Sequence, residues 1–133
     1  MDSKFALRAA MVAMVSAIAP FETAQAAPKD FEFHLVESEI KQSNDAVVAV
    51  KLIDKRTGAR VEQAVVFTTR MDMAPEGMEA MTTSVDVLPS NEPGIYRFKT
   101  NLTMAGGWRF SIAAKVQGEP DTVESRLEFK AVQ

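Results

Sequence analysis

The residues of this 133-residue chain whose type and spacing could support chemistry are five of its eight methionines. Four cluster in sequence and the fifth follows later: Met71, Met73, Met78, Met81 and Met104. Thioether sulfur is a soft, uncharged ligand that selects Cu(I) or its analogue Ag(I) over hard ions such as Mg²⁺. The chain has no cysteine, so methionine is its soft donor. These five residues form the predicted metal site.

The same methionines can instead fill the hydrophobic core, because methionine is a flexible packing residue. Met71 continues the alternation of Val65 and Phe67, which predicts that all three side chains point inward. Met81 extends the alternation of the strand that follows it. Core packing therefore stands beside metal binding for these two residues.

Met73 and Met78 fit core packing less well, since they flank Pro75 and Gly77 in an acidic loop. Carboxylates in that loop attract cations and favour contact with water. Exposed methionines also make adaptable surfaces for binding proteins. Metal ligation and a protein-contact surface are thus both open for this loop.

His34 and Trp108, the single histidine and the single tryptophan, stay outside the predicted site. A lone histidine on a strand is typical of a surface or packing position, so no ligand role is assigned to it. Trp108 begins a predicted strand, and we expect it to anchor the core with its indole N–H near a loop.

Composition and motifs argue against two classes of function. The net charge is −3 and no run of Lys and Arg occurs, which disfavours binding to nucleic acid. No nucleophile, metalloprotease, phosphate-loop or dinucleotide motif is present, and the carboxylates alternate with Lys and Arg as on solvated strand faces. We therefore expect the protein not to be an enzyme.

Residues 1–26 have the pattern of a cleavable signal peptide. Lys4 and Arg8 precede a largely apolar stretch at residues 9–19, and Ala24-Gln25-Ala26 supplies the small residues of a cleavage site. The apolar stretch is shorter than the roughly 20 residues of a membrane span. The sequence predicts export to the periplasm, no stable membrane insertion after cleavage, and one domain at residues 27–133.

Short alternating runs separated by turn residues predict an all-β fold for that domain. Seven strands are expected, at residues 31–38, 46–53, 61–71, 82–88, 95–102, 108–116 and 122–131. About 100 residues in seven short strands indicate an immunoglobulin-like β-sandwich.

Strand counting places the methionines together. If consecutive strands run antiparallel, alternate loops lie at one end of the sandwich, and these are residues 39–44, 72–81 and 103–107. Met104 then shares an end with the earlier four methionines. We call this end the methionine pole.

Several short motifs resemble the YtkA-like and FixH-like families. The stretch from Asp54 through Gly58 to Val66 is similar to their D-x-x-G-x-x-V-x-x-A-x-V pattern, Pro93-Gly94-Ile95-Tyr96 to their P-G-x-Y, and Met104 to Trp108 to their M-x-G-x-W turn. The resemblance implies an extracytoplasmic immunoglobulin-like domain of the kind linked to copper handling, metal efflux and assembly of haem–copper oxidases. FixH-like proteins keep a membrane helix, whereas the segment here looks cleavable.

The resulting prediction is a periplasmic Cu(I)- or Ag(I)-binding carrier or buffer. Its expected partners are proteins of metal efflux or oxidase assembly. The alternative is an accessory interaction module that docks onto a membrane complex without holding metal.

Overall fold

The computed structural model describes residues 30–133, and almost all of its regular structure is strand. Nine strands follow one another along the chain: β1 (Phe31–Leu35), β2 (Glu39–Lys41), β3 (Ala46–Asp54), β4 (Ala64–Met73), β5 (Met78–Thr83), β6 (Val85–Leu88), β7 (Ile95–Thr100), β8 (Gly106–Val116) and β9 (Thr122–Val132). A single-turn 3-10 helix, Ala74–Glu76, joins β4 to β5.

Two sheets face each other. The four-stranded sheet has the order β1-β3-β7-β6, and the five-stranded sheet has the order β2-β9-β8-β4-β5. These orders match the A-B-E-D and G-F-C arrangement of immunoglobulin domains, with β2 and β5 added at the two edges of the second sheet. The predicted immunoglobulin-like β-sandwich is confirmed.

The prediction of seven strands is wrong because the chain changes sheets at two points where the sequence suggests continuity. The first predicted strand ends at Leu35, and β2 then pairs in parallel with β9 in the other sheet, inside a segment expected to be a turn. The fourth predicted strand is divided at Ser84, with β5 in one sheet and β6 in the other. Each division adds one strand.

The turn at residues 54–58 does not close a hairpin between β3 and β4. Gly58 adopts a positive φ of 79°, and Ile53 forms an isolated bridge with Arg60. However, β3 and β4 belong to different sheets, so the chain crosses the sandwich after this turn. The apolar faces of both strands require that crossing, because each must cover the core from its own side.

Alternation of apolar residues along the long strands builds the core. On β8, the five expected side chains (Trp108, Phe110, Ile112, Ala114 and Val116) are all buried. Phe110 meets Phe98 of the opposite sheet edge to face, with ring centroids 5.0 Å apart. β3 lies between β1 and β7, as its largely apolar sequence predicts.

A β-bulge in β4 overturns the inward orientation expected for Val65 and Phe67. The pairing of β4 with β8 shifts between Val66 and Thr68, so Phe67 has no partner of its own. This extra residue reverses the alternation before the bulge. Val65 is 68% exposed and Phe67 55% exposed, whereas Met71, beyond the bulge, points into the core.

The signal peptide predicted at residues 1–26 lies outside the described residues. Within residues 30–133 there is no helix of the length and hydrophobicity needed to span a membrane.

Two phenylalanines on neighbouring strands test the packing. Phe110→Ala removes a fully buried ring and should lower the free energy of unfolding by about 3–5 kcal/mol. Phe67→Ala removes a ring that is more than half exposed and should cost less than about 1 kcal/mol. Urea unfolding of both variants measures the difference, and equal losses would contradict the position of the bulge.

Candidate functional site

The first four methionines lie on one β-hairpin, formed by β4, the 3-10 turn and β5. Met73 ends β4 and pairs with Met78, the first residue of β5. Gly77 closes the turn with a φ of 75°, and its N–H donates to the Ala74 carbonyl. The segment expected to be a loop at residues 72–81 is therefore mainly a tight hairpin, because Pro75 and Gly77 confine the turn to a few residues.

Three segments meet at this end of the sandwich. The Gly107 N–H donates to the Glu76 carboxylate at 2.7 Å, which joins β8 to the hairpin turn. The Leu102 N–H donates to the Ser43 carbonyl at 2.9 Å, which joins the loop after β7 to the loop after β2. The loops that strand counting assigns to one end of the sandwich therefore meet there in the structure.

Two glycines allow the hairpin to approach β8 so closely. A Cβ on Gly107 would lie 2.8 Å from the Pro75 Cβ, closer than two carbon atoms can pack. Gly106 has a φ of 128°, and a Cβ there would lie 3.5 Å from the Met73 methyl carbon. The close contact leaves no space for a side chain at Gly107, and the positive φ of Gly106 disfavours a side chain there.

The methionines of the hairpin differ in burial. Met71 and Met73 are both fully buried in the core cluster, and Met81 packs against that cluster from its edge. The burial of Met73 corrects the expectation that it lies in an exposed acidic loop. A shift in register between Asp72 and Met73 accounts for it, since an irregular pairing allows consecutive residues to be buried.

Met78 and Met104 are the accessible methionines of the pole. Their exposed fractions are 38% and 39%. Met104 is held through its backbone, because its carbonyl accepts a 2.9 Å hydrogen bond from the indole N–H of the buried Trp108. This bond confirms the expected placement of Trp108 as a core anchor with its polar edge at the loop.

A buried carboxylate fastens the hairpin from its outer side. Asp72 has no exposed surface, yet its Oδ2 accepts hydrogen bonds from Arg70 Nε at 2.8 Å and Arg109 Nη2 at 3.1 Å. Its Oδ1 accepts the Ala74 N–H at 2.9 Å. The two arginines also reach β5, through the Glu79 carbonyl and the Glu79 carboxylate. Asp72 thus links both strands of the hairpin to β8.

Hydrogen bonding decides the charge of Asp72. Burial by itself raises the pKa of this carboxyl, but the Ala74 N–H, Arg70 and Arg109 outweigh burial and hold the pKa below its ordinary value of 3.8. Asp72 is therefore ionised at neutral pH.

Sequence reasoning missed Asp72, Arg70, Arg109 and Glu76 as residues that organise the pole. Arg70 and Asp72 are two residues apart, so on a strand their side chains lie on the same face, which is a weak signal that they form an ion pair. Arg109 is 37 residues from Asp72, and only the pairing of β4 with β8 brings them together. His34 lies on β1, half exposed and 2.8 Å from Glu32, away from this network. Among residues 30–133, no three His, Cys, Asp or Glu side chains are grouped as metal ligands.

Comparison with known protein families gives one match. Residues 25–113, most of the chain, match a family described as YtkA-like. A search of curated proteins finds no match.

Comparison with solved structures gives similarities at low identity. The filamin domain of Lin-41 is 20% identical, covering 76% of this chain and 96% of its own, with a TM-score of 0.45. The ZirS C-terminal domain is 12% identical, covering 96% of this chain and 87% of its own, also with a TM-score of 0.45. A conjugative transposon lipoprotein from Bacteroides eggerthii is 11% identical, covering 75% and 96%, with a TM-score of 0.34. At these values the three proteins carry no information on what the chain binds.

Replacing Gly107 tests the contact between turn and strand. Gly107→Ala places a methyl group against the Pro75 Cβ and should lower the free energy of unfolding by about 1–3 kcal/mol. Pro75→Gly removes the clashing atom, so the double variant should lose less than the sum of the two single variants. Denaturant unfolding of the four proteins measures the coupling, and simple additivity would contradict the close approach.

Acid unfolding tests the Asp72 network. Because the pKa of Asp72 is lower in the folded protein than in the unfolded chain, its stabilisation is present above about pH 4 and is lost as the pH falls through the folded pKa. Asp72→Asn should cost about 3 kcal/mol at pH 7 and should flatten the decline of stability below pH 4.

The matched control for this prediction is Asp86→Asn, which changes an exposed carboxylate on β6 with no ion-pair partner among residues 30–133. It should keep both the stability and the acid-dependent decline of the parent protein. A decline in Asp72→Asn as steep as that of the parent would refute the role of Asp72.

Proposed function

The chain belongs to the YtkA-like family, and we propose that it is an exported protein that binds Cu(I) or Ag(I) at the methionine pole. In this proposal it buffers the ion in the periplasm or carries it to a metal-efflux system or to a copper enzyme under assembly. The ion is cargo, and the protein performs no catalysis.

The observation that supports the proposal is that methionine-bearing segments distant in sequence touch at one end of the sandwich. Met78 opens β5 directly opposite Met73, the Met73 methyl group reaches Gly106, and Met104 lies two residues before that glycine. Thioether sulfur is the donor type that a soft monovalent ion prefers, and these segments bring several such donors to one end.

Burial assigns different roles to the methionines in this proposal. Met78 and Met104 meet the ion first, since both are accessible from solvent. Met73 is fully buried at the end of β4 and Met81 packs against the edge of the core, and in this proposal each supplies further sulfur after rotation about its flexible side-chain bonds. Met71 is buried beside Phe110 in mid-strand, so it serves as core packing.

The surroundings of the pole favour reversible binding. Thioethers carry no charge and take up no proton at neutral pH, so an ion can leave without a change in protonation. The Glu76 carboxylate near the turn has no ion-pair partner among residues 30–133 and adds negative charge that attracts cations from solution. Both properties suit a protein that passes its ion on.

The exposure of Met78 and Met104 favours a second candidate, an accessory module whose methionine pole docks onto a membrane complex without metal. Flexible, polarizable thioethers at a surface adapt to apolar partners. This function needs the same two side chains but no ion.

Removal of the accessible sulfurs tests the metal proposal. Met78→Leu with Met104→Leu keeps apolar volume and deletes two thioethers, so it should weaken Cu(I) binding at least tenfold with little loss of stability. Competition against a chromophoric Cu(I) chelator under reducing, oxygen-free conditions measures the affinity.

Met71→Leu is the matched control, because it makes the same chemical change in the core and should leave the affinity unchanged. Parent protein that binds Cu(I) and Ag(I) no tighter than micromolar would refute the metal proposal. In that case, loss of a chelation-resistant partner in the double leucine variant would support the docking module.

A further inference from the structure

A groove of about 410 Å³ crosses the outer face of the five-stranded sheet, away from the core. Its centre is a row of three residues in register across three strands. Arg70 on β4 pairs with Ser111 on β8, and Ser111 pairs with Arg126 on β9. Neighbouring strands are about 4.8 Å apart, so the two arginine Cα atoms stand about 10 Å apart over a serine.

Small side chains on the central strand make the depression. Ser111 and Ala113 point outward from β8 between longer side chains of β4 and β9, so the middle strand is low and its flanks are high. The Ser111 hydroxyl has no hydrogen-bond partner among residues 30–133. It is therefore a donor available at the floor of the groove.

Unused cationic donors line the groove. Arg109 uses its Nη2 for Asp72 and Glu79, but its Nε is buried and has no hydrogen-bond partner. Arg126 has no ion-pair partner within the described part of the chain. Arg126 is therefore the arginine of this face whose guanidinium is free to pair with a ligand.

The carboxylates around the groove leave room for an anion. Glu79 lies 3.3 Å from Arg109, and Asp72 beneath the floor is held by Arg70 and Arg109. Glu124 and Glu128 flank Arg126 on the outward face of β9, opposite Ala113 and Arg109 and one position to either side of the row. The row of Arg70, Ser111 and Arg126 itself contains no carboxylate. Arg70 donates its Nε to Asp72 and its Nη2 to the Glu79 carbonyl, so its Nη1 is the donor left for a ligand.

One end of the groove is apolar. The β-bulge turns Phe67 to the outer face, where its ring is 55% exposed beside Ala113. An exposed phenylalanine next to a cationic row suits a ligand with an apolar body and an anionic head.

We propose that this groove binds a small carboxylate with an apolar body, its carboxylate between the Arg70 and Arg126 guanidiniums over Ser111 and its body against Phe67. Arginine recognises a carboxylate through paired N–H donors. The site is separate from the methionine pole and does not depend on metal binding.

Titration with benzoate tests the proposal by amide chemical-shift mapping of the purified protein at constant ionic strength. Benzoate should give saturable shifts centred on Ser111, Ala113 and Arg126, with a Kd of about 1 mM, as expected for a ligand of this size. Benzamide, its neutral counterpart, should give no saturable shift there. Shifts elsewhere, or none that saturate by roughly 20 mM, would overturn the proposal.

Two substitutions test whether benzoate recognises the charge of Arg126 or only the net charge of the protein. Arg126→Gln should weaken benzoate binding about tenfold, because it removes one charge-assisted pair and no existing ion pair. Arg97→Gln, on the other sheet, should leave the Kd unchanged. Equal Kd values for parent protein and Arg126→Gln would overturn the assigned site.

Inorganic phosphate provides a further comparison. If phosphate bound as tightly as benzoate, the groove would be recognising negative charge alone. That result would overturn the role of Phe67. Weaker phosphate binding, together with a higher benzoate Kd in Phe67→Ala, supports the assigned ligand class.

Discussion

The arrangement of the methionine pole depends on one buried charge, the carboxylate of Asp72. A carboxylate removed from water is tolerated only when ion pairs and hydrogen bonds replace its hydration. Here two arginines from different strands and a backbone N–H of the 3-10 turn supply that replacement. Displacement of the turn or of β8 would remove one of these partners from the buried charge, so the hairpin is held in one position relative to the sandwich.

Alternation in the sequence predicts the long strands well. β8 and β9 show the expected inward and outward residues, because a sandwich buries one face of each strand and leaves the other in water. The prediction fails where the chain departs from a regular ladder. One unpaired residue, Phe67, reverses the orientation of the residues before it, and the break at Ser84 moves the chain to the other sheet. Neither the bulge nor the change of sheet alters the amino-acid composition of its segment enough to be recognised in the sequence.

The candidate site was predictable in position and only partly in detail. Counting strands places the methionine-bearing loops at one end, and the contact of the hairpin turn with Gly107 agrees with that placement. The burial of Met73 was not predictable, since it follows from the irregular pairing at Asp72. From the sequence, Asp72 is expected to be a solvated residue of an acidic loop. Only the pairing of β4 with β8 places Arg109 against it.

The unequal burial of the methionines also divides them by their sensitivity to oxidants. Conversion of a thioether to its sulfoxide requires access, so the half-exposed Met78 and Met104 are open to peroxide while Met71 and Met73 are shielded by the core. A sulfoxide is polar and is no longer a soft thioether donor. Oxidative damage would therefore alter the outer rim of the pole first and leave the fold beneath it intact.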